Sequence, residues 1–231
     1  KNVLYFQNAK DFETIVNTDS FTPRFKINDI VSIFVSTFDL EAVKPFNIYK
    51  GGEGRIANPE FIDYLIDIDG NIDYPVLGKV KLLGLTVEEA RELFKEKLSL
   101  YLKDPIVNIR ILNFRVSVLG EVRRPGRYDV SGERITILEA IALAGDLGIK
   151  GKRENVMVVR DFNGTKTYTR IDLTSKELFN SPVYYLTQND VVYVQQNNSA
   201  ISSASGDTRI GTIISITSFL ITTALIFVTR N

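Results

Sequence analysis

Hydrophobic positions along this chain change period several times, and each change marks an element. Lys26 to Phe38 (KINDIVSIFVSTF) opens on a polar turn at Asn28-Asp29 and continues as a strand rich in Ile, Val and Phe. Tyr64 to Val76 (YLIDIDGNIDYPV) reads as a hairpin. In it Leu65 to Asp67 and Ile72 to Pro75 flank an Asp69-Gly70 turn, a pair that supplies positive φ at low cost. Leu85 to Tyr101 switches to helical spacing, with Val87, Ala90, Leu93, Phe94, Leu98 and Tyr101 on one face. Glu92, Lys95, Glu96 and Lys97 lie largely off that face, as a solvated surface requires. Thr86 and Glu89 have the spacing of a capping box at its start, and Asp104-Pro105 stops it. Ile106 to Leu112 then alternates as a strand.

A second series begins near Phe114. Val116 to Val122 is a strand that Arg124-Pro125-Gly126 turns into Arg127 to Val130. Thr136 and Glu139 form another capping box and open an Ala- and Leu-rich helix ending near Gly145. Asn155 to Arg160, Thr167 to Leu173 and Val191 to Gln195 supply further strands. One helix laid on a mixed sheet of short strands is an α+β arrangement resembling a ubiquitin-type grasp. Two such small α+β domains are expected, 23–113 and 114–196, preceded by an extended arm over 1–22. A small polar linker follows at 197–208 (Asn197 to Asp207 reads NNSAISSASGD). The LYFQ at Leu4 to Gln7 is like part of a protease-tag scar, but its flanks do not fit one, so it is taken as native.

The last segment, 209–231, differs from everything before it. Ile210 to Val228 (IGTIISITSFLITTALIFV) has no charge and no proline. A helix of about nineteen residues is about 28 Å long, close to a hydrocarbon thickness. Eleven of these residues are Ile, Leu, Phe or Val, which favours insertion by about 3 to 7 kcal/mol. Arg209 and Arg230 bracket the run and can snorkel, but one Arg at each end gives no positive-inside bias. On a helical wheel Gly211, Thr212, Ser215, Ser218, Thr222 and Thr223 gather on one side, interrupted by Phe219 and Ile226. Two readings stay open: a lone anchor whose hydroxyls bond back to its own carbonyls, or a helix turning this stripe toward other helices or water. On the second reading Thr212, Ser215, Ser218, Thr222 and Thr223 are candidate pore-facing residues.

Composition narrows the chemistry. Lys and Arg total 28 and Asp and Glu total 28, so bulk charge points to no nucleic acid partner. There is no Cys, hence no disulfide and no thiolate site, and no His, hence no Ser-His or Cys-His pair. Without a convincing acid pair either, no catalytic residue, metal ligand or cofactor is expected and the chain is not read as an enzyme. The GGEG at Gly51 to Gly54 lacks the spacing and the Lys-Ser/Thr of a phosphate loop. The DxDGNxD at Asp67 to Asp73 invites a calcium reading. Counted from Asp67, however, Gly70 falls fourth and Gly78 twelfth, where an EF-hand needs Gly sixth and Glu twelfth. Lys150, Lys152 and Arg153 are taken as a solvated loop. No signal peptide is visible, so the chain reads as a mature or trimmed form.

Taken in order, these motifs resemble the Wza-like outer-membrane polysaccharide-export family. PRFKINDIVSI, YLIDIDGNIDYPVLGKVKLLGLTVEEA and YLKDPIVNI resemble its polysaccharide-export domain. VLGEVRRPGRYDV, TILEAIALAGDLG and NDVVYV resemble one SLBB (soluble ligand-binding β-grasp) domain. The resemblance covers roughly three quarters of the chain, and it is the order that is specific, not any single motif. It implies a ring-shaped homo-oligomer, typically of eight subunits, with soluble domains in the periplasm. C-terminal transmembrane helices would form an oligomeric α-helical barrel through outer-membrane lipid, with a capsular or exopolysaccharide substrate leaving through the lumen. It also implies an N-terminal acylated Cys and an inner-membrane partner, a polysaccharide co-polymerase that is often a tyrosine autokinase. The chain departs from the pattern in four places. It has one SLBB unit where the Wza type has two, and no lipid-bearing Cys. Its terminal helix is uncharged, and Asp146 follows Gly145 where a second Gly is common.

Overall fold

The computed structural model describes residues 4–10, 22–50, 60–162 and 164–197. The expected membrane helix and its five candidate pore-facing residues, the GGEG loop and most of the linker lie outside the described residues. No described helix is long and apolar enough to cross a membrane.

Two small α+β domains follow one another, each with its own hydrophobic cluster. The first runs β1 (Ile30–Ser36), β2 (Asp63–Leu65), β3 (Asn71–Tyr74), β4 (Gly78–Lys81), α1 (Val87–Leu98) and β5 (Ile106–Ile111). β1 is the centre of an antiparallel sheet ordered β2-β1-β5, with Val31 opposite both Tyr64 and Ile111. Alternation decides its faces: Val31, Ile33 and Val35 are buried while Ser32, Phe34 and Ser36 are not. α1 starts where the sequence indicates. Thr86 accepts the Glu89 amide at 3.1 Å and Glu89 Oε2 accepts the Thr86 amide at 2.7 Å, closing the capping box. The helix buries Ala90, Phe94 and Leu98, and Phe94 meets Tyr74 edge-on at 5.0 Å between centroids.

One element differs from expectation. The segments flanking Asp69-Gly70 do not pair with each other. β2 is recruited by β1, and β3 pairs instead with β4 across Pro75 to Leu77. The Asp67–Gly70 turn is real, because Gly70 N–H donates to Asp67 C=O at 2.9 Å. Gly70 has φ +82°, and a Cβ there would lie 2.3 Å from Leu83 Cβ. That turn is therefore a corner that hands the chain from one sheet to another, not a hairpin tip. The alternation of apolar residues is the same in both arrangements, so pattern alone could not separate them.

The second domain runs β6 (Arg115–Gly120), β7 (Gly126–Asp129), β8 (Ile135–Thr136), α2 (Ile137–Leu143), β9 (Gly151–Phe162), β10 (Thr165–Ile171), β11 (Tyr185–Leu186) and β12 (Val191–Gln196). Its five-stranded sheet is ordered β10-β9-β12-β6-β7 and is mixed, β12 lying parallel to β6 and β7 antiparallel to it. Gly120, at φ +89°, is where β6 leaves β12: a Cβ would lie 2.0 Å from Val194 O, so only glycine fits. α2 is short but carries the second capping box, Thr136 with Glu139. Ile137, Ala140 and Ile141 are the residues it buries.

Candidate functional site

Both domains begin a central strand with the same three-residue signal, Asn-Asp before a branched apolar residue. The two turns so formed meet where the domains join. In the first, Asn28 takes φ 69° and Asp29 Oδ2 accepts the Lys26 amide at 2.8 Å. In the second, Asn189 takes φ 66° and Asp190 Oδ2 accepts the Thr187 amide at 2.7 Å. Asn tolerates the left-handed region better than other side-chain-bearing residues, and Asp folds back to satisfy an amide of its own turn.

Between them runs a polar seam. Lys26 Nζ donates to Thr187 Oγ1 at 2.9 Å, to Gln188 C=O at 3.2 Å and to Asp161 C=O at 3.3 Å. Asn113, at the crossing point, accepts the Ile30 amide at 2.9 Å and donates to Asn28 C=O at 2.8 Å. Gln188 donates to Asn113 C=O and accepts the Arg115 amide at 2.7 Å. Most of these bonds join a backbone group to a side chain, and those from Lys26 and from Gln188 to Asn113 cross between the domains or reach the junction, so a change of angle would orphan several at once.

The charges in the seam are treated unequally. Asp190 is fully buried, and Arg160 grips it with Nε and Nη2 at 2.7–3.1 Å. Asp29 is as deeply buried, but its Oδ1 has no partner among the described residues. Burial pushes its carboxyl up to about 6, opposed by the Lys26 amide and ammonium. Burial likewise lowers Lys26, with Asp190 working against the shift.

Beside the seam a cleft of about 500 Å³ opens between β5 and the Val130–Glu133 turn, with Val87, Ile109, Ile111 and Phe114 among its lining. Glu133 of its lining is bound at 3.3 Å by Arg91, which also binds Glu88 at 2.7 Å. These are exposed ion pairs and contribute little.

Arg153 overturns one expectation. It is not in a solvated loop but in β9, 4% exposed, with Nη1 donating to Gly151 C=O and its guanidinium 5.6 Å from the Tyr5 ring centroid. Lys150, by contrast, is exposed and Lys152 half-buried. The signal for burial was strand alternation through 151–162, masked by three cations in four residues. In the DxDGNxD stretch Asp67 Oδ1 accepts the Asn71 amide at 2.7 Å, which uses the carboxylate as a turn cap. Among the described residues no three His, Cys, Asp or Glu side chains are grouped to hold a metal.

Comparison with known proteins follows this division of the chain. Residues 19–112 match the polysaccharide biosynthesis/export protein family, and residues 114–194 match the SLBB domain. The chain thus carries a region similar to a polysaccharide-export domain, followed by a region similar to an SLBB domain. It is similar to the EPS I polysaccharide export outer membrane protein EpsA of Ralstonia solanacearum. Identity is 32% over 146 residues, covering 59% of this chain and 38% of that protein. It is also 28% identical over 193 residues to EpsA of Ralstonia nicotianae, covering 80% of this chain and 50% of that protein. The chain thus spans half or less of the length of these curated relatives.

Proposed function

We propose that this chain is a subunit of an outer-membrane polysaccharide-export conduit. The carrying observation is a tandem one: an export domain, an SLBB domain, and then an uncharged apolar run at Ile210–Val228 in the same chain. Copies assemble as a ring, an octamer by family resemblance, with the α+β domains stacked in the periplasm. The 209–231 segments stand side by side as a transmembrane α-helical barrel in outer-membrane lipid. Capsular or exopolysaccharide passes through its lumen.

The seam supports this reading, since a ring stack needs each subunit's two domains at a fixed angle. Lys26, Asn113 and Gln188 supply that constraint through short bonds. The conduit is passive. No residue set in the chain performs chemistry, so the driving energy comes from an inner-membrane co-polymerase or tyrosine autokinase on the periplasmic side.

Thr212, Ser215, Ser218, Thr222 and Thr223 form the pore wall in this scheme. Uncharged hydroxyls offer a glycan weak, exchangeable hydrogen bonds and no trapping charge. Facing water or a neighbouring stave instead of lipid spares each otherwise unpaired group about 1 to 3 kcal/mol. Replacing Ser215 and Ser218 together by Leu is expected to abolish export and lower the conductance of the oligomer in planar bilayers. Export and conductance both unchanged would refute the wall assignment.

A rival reading keeps every soluble feature and makes the helix a lone anchor for a periplasmic glycan-binding or adaptor module. The breaks in the stripe at Phe219 and Ile226 favour it. The two readings part on stoichiometry, because the rival has one copy per particle.

A further inference from the structure

The N-terminal residues 4–10 are not a free arm. They lie along the SLBB domain in a groove formed by the α2–β9 connection, the end of β9's partner strand and the 3-10 turn Lys176–Asn180. The Phe6 amide donates to Leu173 C=O at 3.3 Å and the Gln7 amide to Thr174 C=O at 2.6 Å, while the Ala9 amide donates to Phe6 C=O at 3.0 Å, so the segment docks through its backbone as a turn. Asn8 is read on both sides of its amide. Its Oδ1 accepts the Lys176 amide at 2.7 Å and its Nδ2 donates to Ser175 Oγ at 3.1 Å. The Phe6 ring stacks on Phe179 with centroids 5.2 Å apart, and the Tyr5 hydroxyl donates to Asp146 Oδ1 at 2.5 Å.

Three features of this contact are costly unless the groove is built for it. Phe6 sits at φ 51° and Asp146 at φ 72°, both in the left-handed region where a side chain costs about 1 to 2 kcal/mol. They are not neighbours in sequence, yet both face the same contact. Asp146 occupies the place where glycine would fit without strain. Its carboxylate offsets that strain by accepting the Leu147 amide at 2.7 Å together with the Tyr5 hydroxyl. Third, Arg153 is 4% exposed, and among the described residues its Nε has no hydrogen-bond partner. What covers this buried cation is the Tyr5 ring. The arm therefore completes a charge arrangement that the domain alone leaves open.

We propose that this groove is a recognition site for a turn-forming segment reading Tyr-Phe-Gln-Asn, filled in the same molecule by Tyr5 to Asn8. Asp146 is its specificity-determining residue, reading the phenol hydroxyl. Arg153 reads the ring face, Phe179 the second aromatic, and the Leu173–Lys176 backbone sets the register. The consequence is topological. The N-terminal arm is fastened to the domain that also carries β12, the last strand, so both ends of the described chain leave from the SLBB domain. This inference does not depend on the export reading.

The test uses the full chain with Tyr5→Ala and Phe6→Ala, which empties the groove, and a labelled peptide of sequence LYFQNAK followed by fluorescence anisotropy. The peptide is expected to bind the double variant at least tenfold more tightly than the wild-type chain, whose own arm competes. Adding Asp146→Ala to the double variant, or changing the peptide's Tyr to Phe, is expected to weaken binding several-fold. Equal binding to both chains, or none to the double variant, would overturn the proposal. A second measurement needs no arm variant. The Phe6 and Gln7 amides of the wild-type chain are expected to exchange slowly with solvent, equally at high and low protein concentration, and quickly in Asp146→Ala. Fast exchange in the wild type would refute the site. Protection that vanishes on dilution would mean the arm is held by a second copy and not by its own molecule.

Discussion

Two carboxylates, Asp29 and Asp190, occupy equivalent places in the two domains and live under different conditions. Each follows an Asn in the left-handed region, precedes a core strand, and accepts the amide three residues back. Asp190 is matched by the Arg160 fork, whereas Asp29 is met only by Lys26, whose ammonium is engaged across the seam with Thr187, Gln188 and Asp161. The local turn thus fixes the backbone but not the charge balance. A guanidinium thirty residues away satisfies one copy of the turn, and the other carries a carboxyl that burial makes hold its proton more tightly than it would in water. What a short motif specifies is its own geometry, and its electrostatics come from whatever the tertiary fold brings near.

The largest expected effect is at the balanced carboxylate. Asp190→Ala leaves the Arg160 guanidinium, which is only 15% exposed, without its anion, and should cost about 3 to 5 kcal/mol in urea denaturation. A cost under about 1 kcal/mol would mean that the fork is idle and the contrast with Asp29 false.

Next comes the unbalanced one, with a distinct pH signature. Asp29's carboxyl lies near 6 in the folded chain against an ordinary 3.8, so the folded state holds the proton more tightly. The stabilisation this gives is complete below pH 4 and lost as pH rises through 6. The loss amounts to at most about 3 kcal/mol at neutral pH. Asp29→Asn should therefore gain on the wild type between pH 4.5 and 7.5 in parallel denaturation curves. A difference that stays flat across that range would show Asp29 to be compensated after all.

Lys26→Met probes the seam between the two turns. It removes a charged donor from three acceptors while keeping most of the stem, and should cost about 1 to 3 kcal/mol. Limited proteolysis should then cut near Asn113 in the variant sooner than in the wild type. Cleavage at an unchanged rate would mean that the domains are held by other contacts.

The smallest effects compare the two helix starts. Thr86→Ala and Thr136→Ala each remove one cap, worth about 1 kcal/mol. The buried Thr86 should lie at the upper end and the half-buried Thr136 at the lower. Equal losses would show that burial of the cap is immaterial here.

Much of this architecture is legible in the sequence because it is local. Both capping boxes and the strands from Ile106 and Val191 rest on neighbours a few residues apart, and the structure shows each in place, whereas the first helix ends at Leu98, short of the expected Tyr101 and of the Asp104-Pro105 stop. What the sequence does not disclose is partnership at a distance. β3 choosing β4 over β2, Arg153 buried under Tyr5, and Lys26 reaching Gln188 all depend on which surfaces the fold brings together. The Asn-Asp turns had a usable signal, since NDIV and NDVV repeat 161 residues apart. Only the structure shows that they face one another.

The export reading stands or falls on several copies enclosing an opening with their 209–231 segments. Electron cryo-microscopy of the detergent-extracted full chain tests that directly. The expected particle is a closed ring whose narrow end is a tube of helices around a central hole. Particles of a single copy, or rings whose terminal segments splay apart with no opening between them, would contradict it.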